Sequence, residues 1–259
     1  MGPRRRRAVA AALVAAVLVT GSANAERAQH GNLIVTLDGG ISPRKLPRGK
    51  PVPVAVHLSG GVQTTDESPL PRVNKLKLEL AWRGILSTRG LPVCPRGRLV
   101  GRDNRQAVGA CGRSLVGRGN LHAKIFLPGQ APFGVKTILN AFNGKTKVGR
   151  PAVLVHAYTP DPPVSFLIPF VIKRQPGAFR TVLVSTLKRS VGTWPHVANF
   201  RVSVSRSFEL DGVRRSYLKA SCPVPKNFTA GFLSFARATY TFANGDELPI
   251  ESVRSCRAR

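Results

Sequence analysis

The chain has 259 residues, of which 40 are Lys or Arg and 12 Asp or Glu, for a formal charge of +28; 42% are hydrophobic and 7% aromatic. This apolar content over this length can form a sizeable core, which excludes a disordered or acidic chain. The 21 prolines and 25 glycines argue against a helical bundle.

In chain order, the first element is a cationic run, Arg4 to Arg7, followed by an apolar stretch from Ala8 to Val19 and the small-residue triplet Ala23-Asn24-Ala25. That order is the pattern of a secretory signal peptide cut after Ala25. The apolar run stops at Thr20-Gly21-Ser22, short of the roughly 20 residues that a membrane-spanning helix needs. The expectation is a signal peptide over 1–25 and a secreted protein, extracellular or in the cell envelope, with no transmembrane segment after cleavage.

From residue 32 onward the apolar pattern has period two. Leu76, Leu78, Leu80 and Trp82 alternate with Lys75, Lys77, Glu79 and Ala81, as in a strand with one buried face. Similar runs are expected as strands at 32–37, 52–58, 121–127, 135–142, 152–158, 164–173, 179–187, 197–208, 216–220, 232–242 and 248–254. Turn residues punctuate them: Asp38-Gly39-Gly40, Ser59-Gly60-Gly61, Asn143-Gly144, Asp211-Gly212 and Asn244-Gly245-Asp246. Hairpins are expected at 143–144, 211–212 and 244–245, because type I′ turns need positive φ. The last two would make a meander over about 202–254. Between Leu99 and Ala110, Asp103 is placed to cap a short helix ending near Gly109 or Cys111. The fold expected is all-β, a large antiparallel β-sandwich with one short helix near 100–110. Thr159-Pro160-Asp161-Pro162-Pro163 has the composition of a boundary, but Val164 to Ile172 is apolar on both faces, as suits a central strand. The expectation is one domain over 26–259, with subdivision near 159–163 as the alternative.

Four cysteines, Cys94, Cys111, Cys222 and Cys256, are an even number in an exported chain and read as two disulfides. The local pairings Cys94–Cys111 and Cys222–Cys256 are preferred because each closes a short loop. A zinc site is disfavoured: there is no CxxC spacing and no histidine within four residues of any cysteine.

The segments Ile41-Ser42-Pro43, Leu46-Pro47-Arg48-Gly49, Gly90-Leu91-Pro92-Val93-Cys94, Cys111 with Ser114-Leu115-Val116-Gly117, Ala141-Phe142-Asn143-Gly144-Lys145, Pro169-Phe170-Val171-Ile172-Lys173, Arg215-Ser216-Tyr217-Leu218 and Ala220-Ser221-Cys222-Pro223 run through nearly the whole chain after the leader. Together they resemble a family of uncharacterised secreted proteins of high-GC Gram-positive bacteria. The resemblance implies export and assigns no activity, cofactor or catalytic residue.

No catalytic or ligand motif rises above background. His156, Asp161 and Ser165 are close in sequence, but Ser165 is in no Gly-x-Ser-x-Gly elbow and prolines flank Asp161. Asp66 with Glu67, Asp246 with Glu247, Glu209 with Asp211, and Glu79 read as turn or solvated strand residues rather than paired catalytic acids. No cofactor or metal is implied. Without Arg4 to Arg7 the chain keeps 36 basic and 12 acidic residues, a net +24, and residues 104–208 hold 15 Lys and Arg against the single carboxylate of Asp161. Such a field favours an anionic cell-wall polymer or acidic glycan, with nucleic acid disfavoured by export; the plainer alternative is compositional, with charge spread over solvated faces. The candidate anion-binding residues are Arg44, Lys45, Arg48, Lys50, Lys173, Arg174, Lys188, Arg189, Arg214 and Arg215. The function expected is a non-enzymatic binding or structural module for anionic polymers. The alternatives are a secreted hydrolase with a cleft at the sandwich end, and a protein-binding scaffold.

Overall fold

The computed structural model describes residues 25–81, 83–126, 129, 131–187 and 194–259. The expected signal peptide (except Ala25), Trp82 and the Lys188-Arg189 pair lie outside the described residues. The strands are β1 (Glu26–His30), β2 (Leu33–Ser42), β3 (Lys45–Leu46), β4 (Val52–Pro53), β5 (Ala55–Thr64), β6 (Val73–Leu80), β7 (Ile85–Leu86), β8 (Leu115–Phe126), β9 (Phe133–Lys145), β10 (Pro151–Pro160), β11 (Pro163–Arg174), β12 (Thr181–Thr186), β13 (Trp194–Val204), β14 (Ser207–Leu210), β15 (Val213–Ser216), β16 (Leu218–Ala220), β17 (Ala230–Phe242) and β18 (Glu247–Ala258); one α-helix, α1, spans Asn104–Cys111.

The all-β fold with one short helix is observed. The two apposed faces of the expected sandwich are halves of one curled sheet, thirteen strands in the order β1-β2-β5-β13-β8-β9-β10-β11-β12-β6-β17-β18-β3. All neighbours are antiparallel except β18 with β3. Cross-strand partners keep the apolar set on one face: Val202 pairs with Leu58, Phe200 with Leu121, Val155 with Ala141, and Leu78 with both Leu183 and Ala238. Curling places Leu33, Val35 and Leu37 of β2 against Phe235, Ala238 and Tyr240 of β17 in one core cluster.

The seam between the sheet's two edges is closed in two ways. The chain crosses it, leaving β2 at Ser42 and joining β18 as β3 three residues later. Arg254 of β18 also spans it, ion-pairing with Glu26 of β1 and Asp38 of β2, and donating from Nε to Gly39 O at 2.6 Å. Its side chain is only 18% exposed, so these contacts are screened less than a surface pair.

The small sheet β4-β16-β7 packs at one end. Its Leu86, Leu218 and Ala220 share a cluster with Tyr217, Val153 and Cys222. The Cys222–Cys256 disulfide ties this end to β18, and Cys94–Cys111 fastens α1 onto β9 and β10, burying Phe142 and Leu154 beneath it. Both pairings are those the sequence favours. Their loops, separated by 17 and 34 residues, restrict the unfolded chain by about 3 and about 4 kcal/mol. Helix α1 starts where expected, with a reciprocal capping box between Asp103 and Gln106.

Several turn expectations are corrected. Gly39-Gly40 and Gly60-Gly61 lie inside β2 and β5, where Leu37 pairs with Gly60 and Gly39 with Leu58. Gly39 and Gly60 lie under β17: a Cβ on Gly39 would come within 2.8 Å of Phe235, and one on Gly60 within 2.9 Å of the Tyr240 hydroxyl, while a Cβ on Gly61 would meet the Ala198 carbonyl of β13 at 2.6 Å. Asn143-Gly144 is not a hairpin either. Both residues continue β9, opposite Val153 and Ala152. Asn143 donates to the carbonyls of Leu91 and Pro92, and a Cβ on Gly144 would collide with Leu154. Hairpins do form at 211–212, where Asp211 and Gly212 both have positive φ, and at 243–246. They do not make a meander, because β14-β15 is a separate two-stranded sheet and β16 pairs with β4 and β7. Residues 160–163 form the tip of the β10–β11 hairpin, with Pro160 paired to Pro163.

Replacing Arg254 by Met leaves Glu26 and Asp38 without their cation at the seam and should cost about 1–3 kcal/mol. Urea unfolding of Arg254→Met measures this. A midpoint equal to that of the parent would show that the seam does not depend on these pairs.

Candidate functional site

The curled sheet encloses a cavity of about 170 Å³. Its walls come from most of the main sheet: Leu58 of β5, Leu76 and Leu78 of β6, Leu121 of β8, Leu139 and Ala141 of β9, Val153 and Val155 of β10, Ile168 and Phe170 of β11, Leu183 of β12, and Phe200, Val202 and Val204 of β13. Leu86, Tyr217 and Leu218 close the end under the small sheet. Among the described residues, none that lines it is charged. Val155, Ile168, Phe170, Leu183, Phe200 and Val202 face inward and are still only half-buried, because they border empty space rather than neighbouring side chains. An apolar cavity of about 150 Å³ stays dry and takes a benzene-sized guest.

Outside the small-sheet end lies an open cleft of about 630 Å³ lined by Gly49, Pro51, Arg83, Gly84, Ile85, Arg174, Gln175, Pro176 and Arg180. Strand register assembles it. Arg174 ends β11 opposite Thr181, and Thr181 also pairs with Leu80, the last residue of β6. The ends of three strands therefore coincide, and Arg83, Arg174 and Arg180, just beyond or at those ends, meet in one place. Arg174 is oriented by donating to Thr181 Oγ1 and to the carbonyl of Leu86, a wall residue of the cavity.

Of the eight candidate anion-binding residues that are described, Arg174 alone lines this cleft. Alternation along β11 sends its neighbour Lys173 to a separate groove of about 600 Å³ on the outer face, with Arg96, Lys147 and Arg150. Arg48 is engaged internally, donating to the carbonyls of Val224, Pro225 and Phe228 at 3.3, 2.8 and 2.8 Å. Arg44, Lys45 and Lys50 are exposed, as are Arg214 and Arg215 on β15, where Arg214 faces Glu209. Lys188 and Arg189 lie outside the described residues. Arg83 and Arg180 were not singled out from the sequence, because each is an isolated arginine and only the register joins them to Arg174.

The residues considered for hydrolysis are placed differently from a triad. Ser165 Oγ lies 3.3 Å from His156 Nε2, but the same nitrogen is 3.0 Å from the carbonyl of Arg102. A carbonyl only accepts, so Nε2 carries the proton and cannot take one from Ser165. His156 Nδ1 has no hydrogen-bond partner among the described residues, so Asp161 does not orient the ring. A polar pocket of about 410 Å³ on the outer face holds His122 and one carboxylate, Asp38, which is already paired with Arg254. Glu79, expected on a solvated face, is 3% exposed; Lys77 Nζ at 3.0 Å and the Gln175 amide at 3.1 Å hold it. Among the described residues no group of three or more His, Cys, Asp and Glu could hold a metal ion, and no helix is long and apolar enough to cross a membrane.

Comparison with protein-family models, with curated proteins and with solved structures finds no match for this chain.

Burial pushes the His156 ring below its usual pKa, outweighing the hydrogen bond to Arg102 and the nearby charge of Asp103. Burial does the same to His196, against its bond to the Leu70 carbonyl. Both rings are neutral in the fold, whereas the unfolded chain takes up protons below about pH 6.5. Their contribution to stability is complete above that value and is lost as the pH falls toward the folded pKa values. Between pH 7 and pH 5 the urea midpoint should decrease, and His156→Gln should flatten part of the slope. A midpoint that is level or rises over that interval would contradict the burial of both rings.

Proposed function

We propose that this chain is an exported, non-enzymatic binding protein that holds a small apolar molecule or alkyl chain inside its curled sheet. The observation that carries the reading is the cavity of about 170 Å³ whose described wall residues are all uncharged. A folded chain gains by filling apolar space, and a well-formed apolar pocket is the default place for a ligand. Two disulfides and the lack of a membrane-spanning helix among the described residues are compatible with an extracellular protein. The export part of the reading is supported by the leader-like segment at 4–25. The non-enzymatic part is supported by the ring proton of His156, which is committed to a backbone carbonyl.

A second reading is surface attachment to an anionic wall polymer or acidic glycan. It is favoured by the exposed Arg44, Lys45, Lys50, Arg214 and Arg215, and retention on such a polymer would weaken steeply with salt. Interior and surface binding are compatible, since they use different residues.

The interior reading is tested by titrating benzene into the disulfide-bonded protein and following side-chain methyl resonances. Leu78, Val155, Ile168 and Val202 should shift with saturation while surface methyls stay still. Val155→Phe, which occupies the space, should weaken binding at least tenfold. No saturable shift in the parent protein, or binding undiminished in Val155→Phe, would remove the cavity as a ligand site.

A further inference from the structure

The outer-face groove that receives Lys173 follows β11. Ser165, Leu167, Pro169, Val171 and Lys173, alternate residues of that strand, line it, and they span about 26 Å at the rise of a strand. One side is walled by the segment from Cys94 to Arg102, which contributes Arg96 and Val100. That segment is fixed over β9 and β10 at both ends: Cys94 N donates to Asn143 O at 2.8 Å, and the Arg102 carbonyl lies 3.0 Å from His156 Nε2. On the other side are Val184 and Thr186 of β12, where Val184 pairs with Val171. The β9–β10 turn adds Thr146, Lys147 and Arg150, held by hydrogen bonds from Thr146 N to Arg150 O, from Gly149 N to Thr146 O and from Arg150 N to Thr146 Oγ1. Ala152 pairs with Val171, and the same register two residues further on sets Arg150 level with Lys173. The groove is therefore cationic toward the turn and apolar along its floor.

We propose that this groove binds the acidic end of an extended peptide whose alternate residues are apolar. Arg96, Lys147, Arg150 and Lys173 make no side-chain hydrogen bond or ion pair among the described residues. All 12 Asp and Glu of the chain are among the described residues, and none of them lines the groove. The four cations are thus left to an outside partner, and they select negative charge. Leu167, Pro169, Val171 and Val184 are half-buried and keep apolar surface in water. Lys147, Arg150, Lys173 and Thr186 are exposed at the rim, so one side of the groove faces solvent. That open side decides between chains. An alkyl chain, apolar all round, would leave much of its surface in water, whereas an extended peptide turns one set of alternate side chains to the floor and the other to solvent. Its same-face repeat of about 6.6 Å equals that of Leu167, Pro169 and Val171. An acidic glycan, hydroxylated all round, would set polar groups against the apolar floor. Single-stranded nucleic acid needs exposed rings for stacking, and Phe166, the aromatic in the described lining, is 4% exposed. The proposal is independent of the interior ligand.

The test is titration of the purified, disulfide-bonded protein with the end-blocked peptide Leu-Ser-Leu-Ser-Leu-Glu-Glu-Glu, followed by backbone amide resonances. Saturable shifts are expected at Leu167, Val171 and Val184 and at Arg150 and Lys173. The same peptide with Lys in place of Glu should give none. Leu-Leu-Leu-Ser-Ser-Glu-Glu-Glu, which keeps the composition and loses the alternation, should bind about tenfold more weakly. Arg150→Gln combined with Lys173→Gln, both exposed side chains, should weaken the acidic peptide about tenfold, and Lys147→Gln and added salt should act in the same direction. Benzene binding in the interior should be equal in the parent and the double variant, so a failure here leaves the interior reading standing. An acidic peptide that binds no tighter than its lysine counterpart, or binding indifferent to the double variant and to salt, would overturn the cationic end. Equal affinity for the alternating and rearranged peptides would overturn the extended strand on the floor. Decanoate or polygalacturonate shifting the same resonances at lower concentration than the peptide would overturn the peptide as occupant.

Discussion

A thirteen-stranded sheet with a continuous apolar face has to cover that face with itself, and the contact of β2 with β17 and β18 is where it does so. Everything else in the molecule is arranged around that closure. Glycines at 39 and 60 let the aromatic rings of β17 approach the opposite half. Arg254 bridges the two edges, the chain crosses between them after Ser42, and one disulfide secures the small sheet over the open end. Two flat sheets can approach until their side chains interdigitate. A single curled sheet is limited by its own curvature, and where the two halves diverge the inward side chains do not meet. The cavity lies at that divergence, bordered by inward residues that remain half-buried.

The parts of this arrangement that depend on near neighbours were legible in the sequence. Period two placed the twelve long apolar runs in strands, Asp103 marked the helix start, and Asp211-Gly212 marked a turn that requires positive φ. The cysteine pairs followed from loop length. What could not be read locally depends on which strand lies over which. Gly39, Gly60 and Gly144 look like turn residues, yet each makes room for a side chain from elsewhere, Phe235, Tyr240 and Leu154. Glu79 looks solvated by alternation, but Gln175, nearly a hundred residues away in the chain, donates to it from outside its own strand, and Lys77 pairs with it from two residues back.

The same limit applies to the candidate site. A charge count located basic pairs, of which Lys173-Arg174 was one. The structure separates that pair onto two faces and joins Arg174 to Arg83 and Arg180 through the register of β6, β11 and β12. Net charge thus described a long-range field, whereas three strand ends in register create a local one. The cavity had no counterpart in the sequence, since its lining residues have the composition of an ordinary core and only curvature distinguishes them.

The central claim is that the interior of the closed sheet is apolar and unfilled. Pressure unfolding measures this most directly, because the volume lost on unfolding scales with the internal void that disappears. The account predicts a large negative volume change for the parent protein and a clearly smaller one when the void is occupied, by saturating benzene or by Val155→Phe. A volume change that neither occupant alters would mean that the two halves of the sheet meet without the space described.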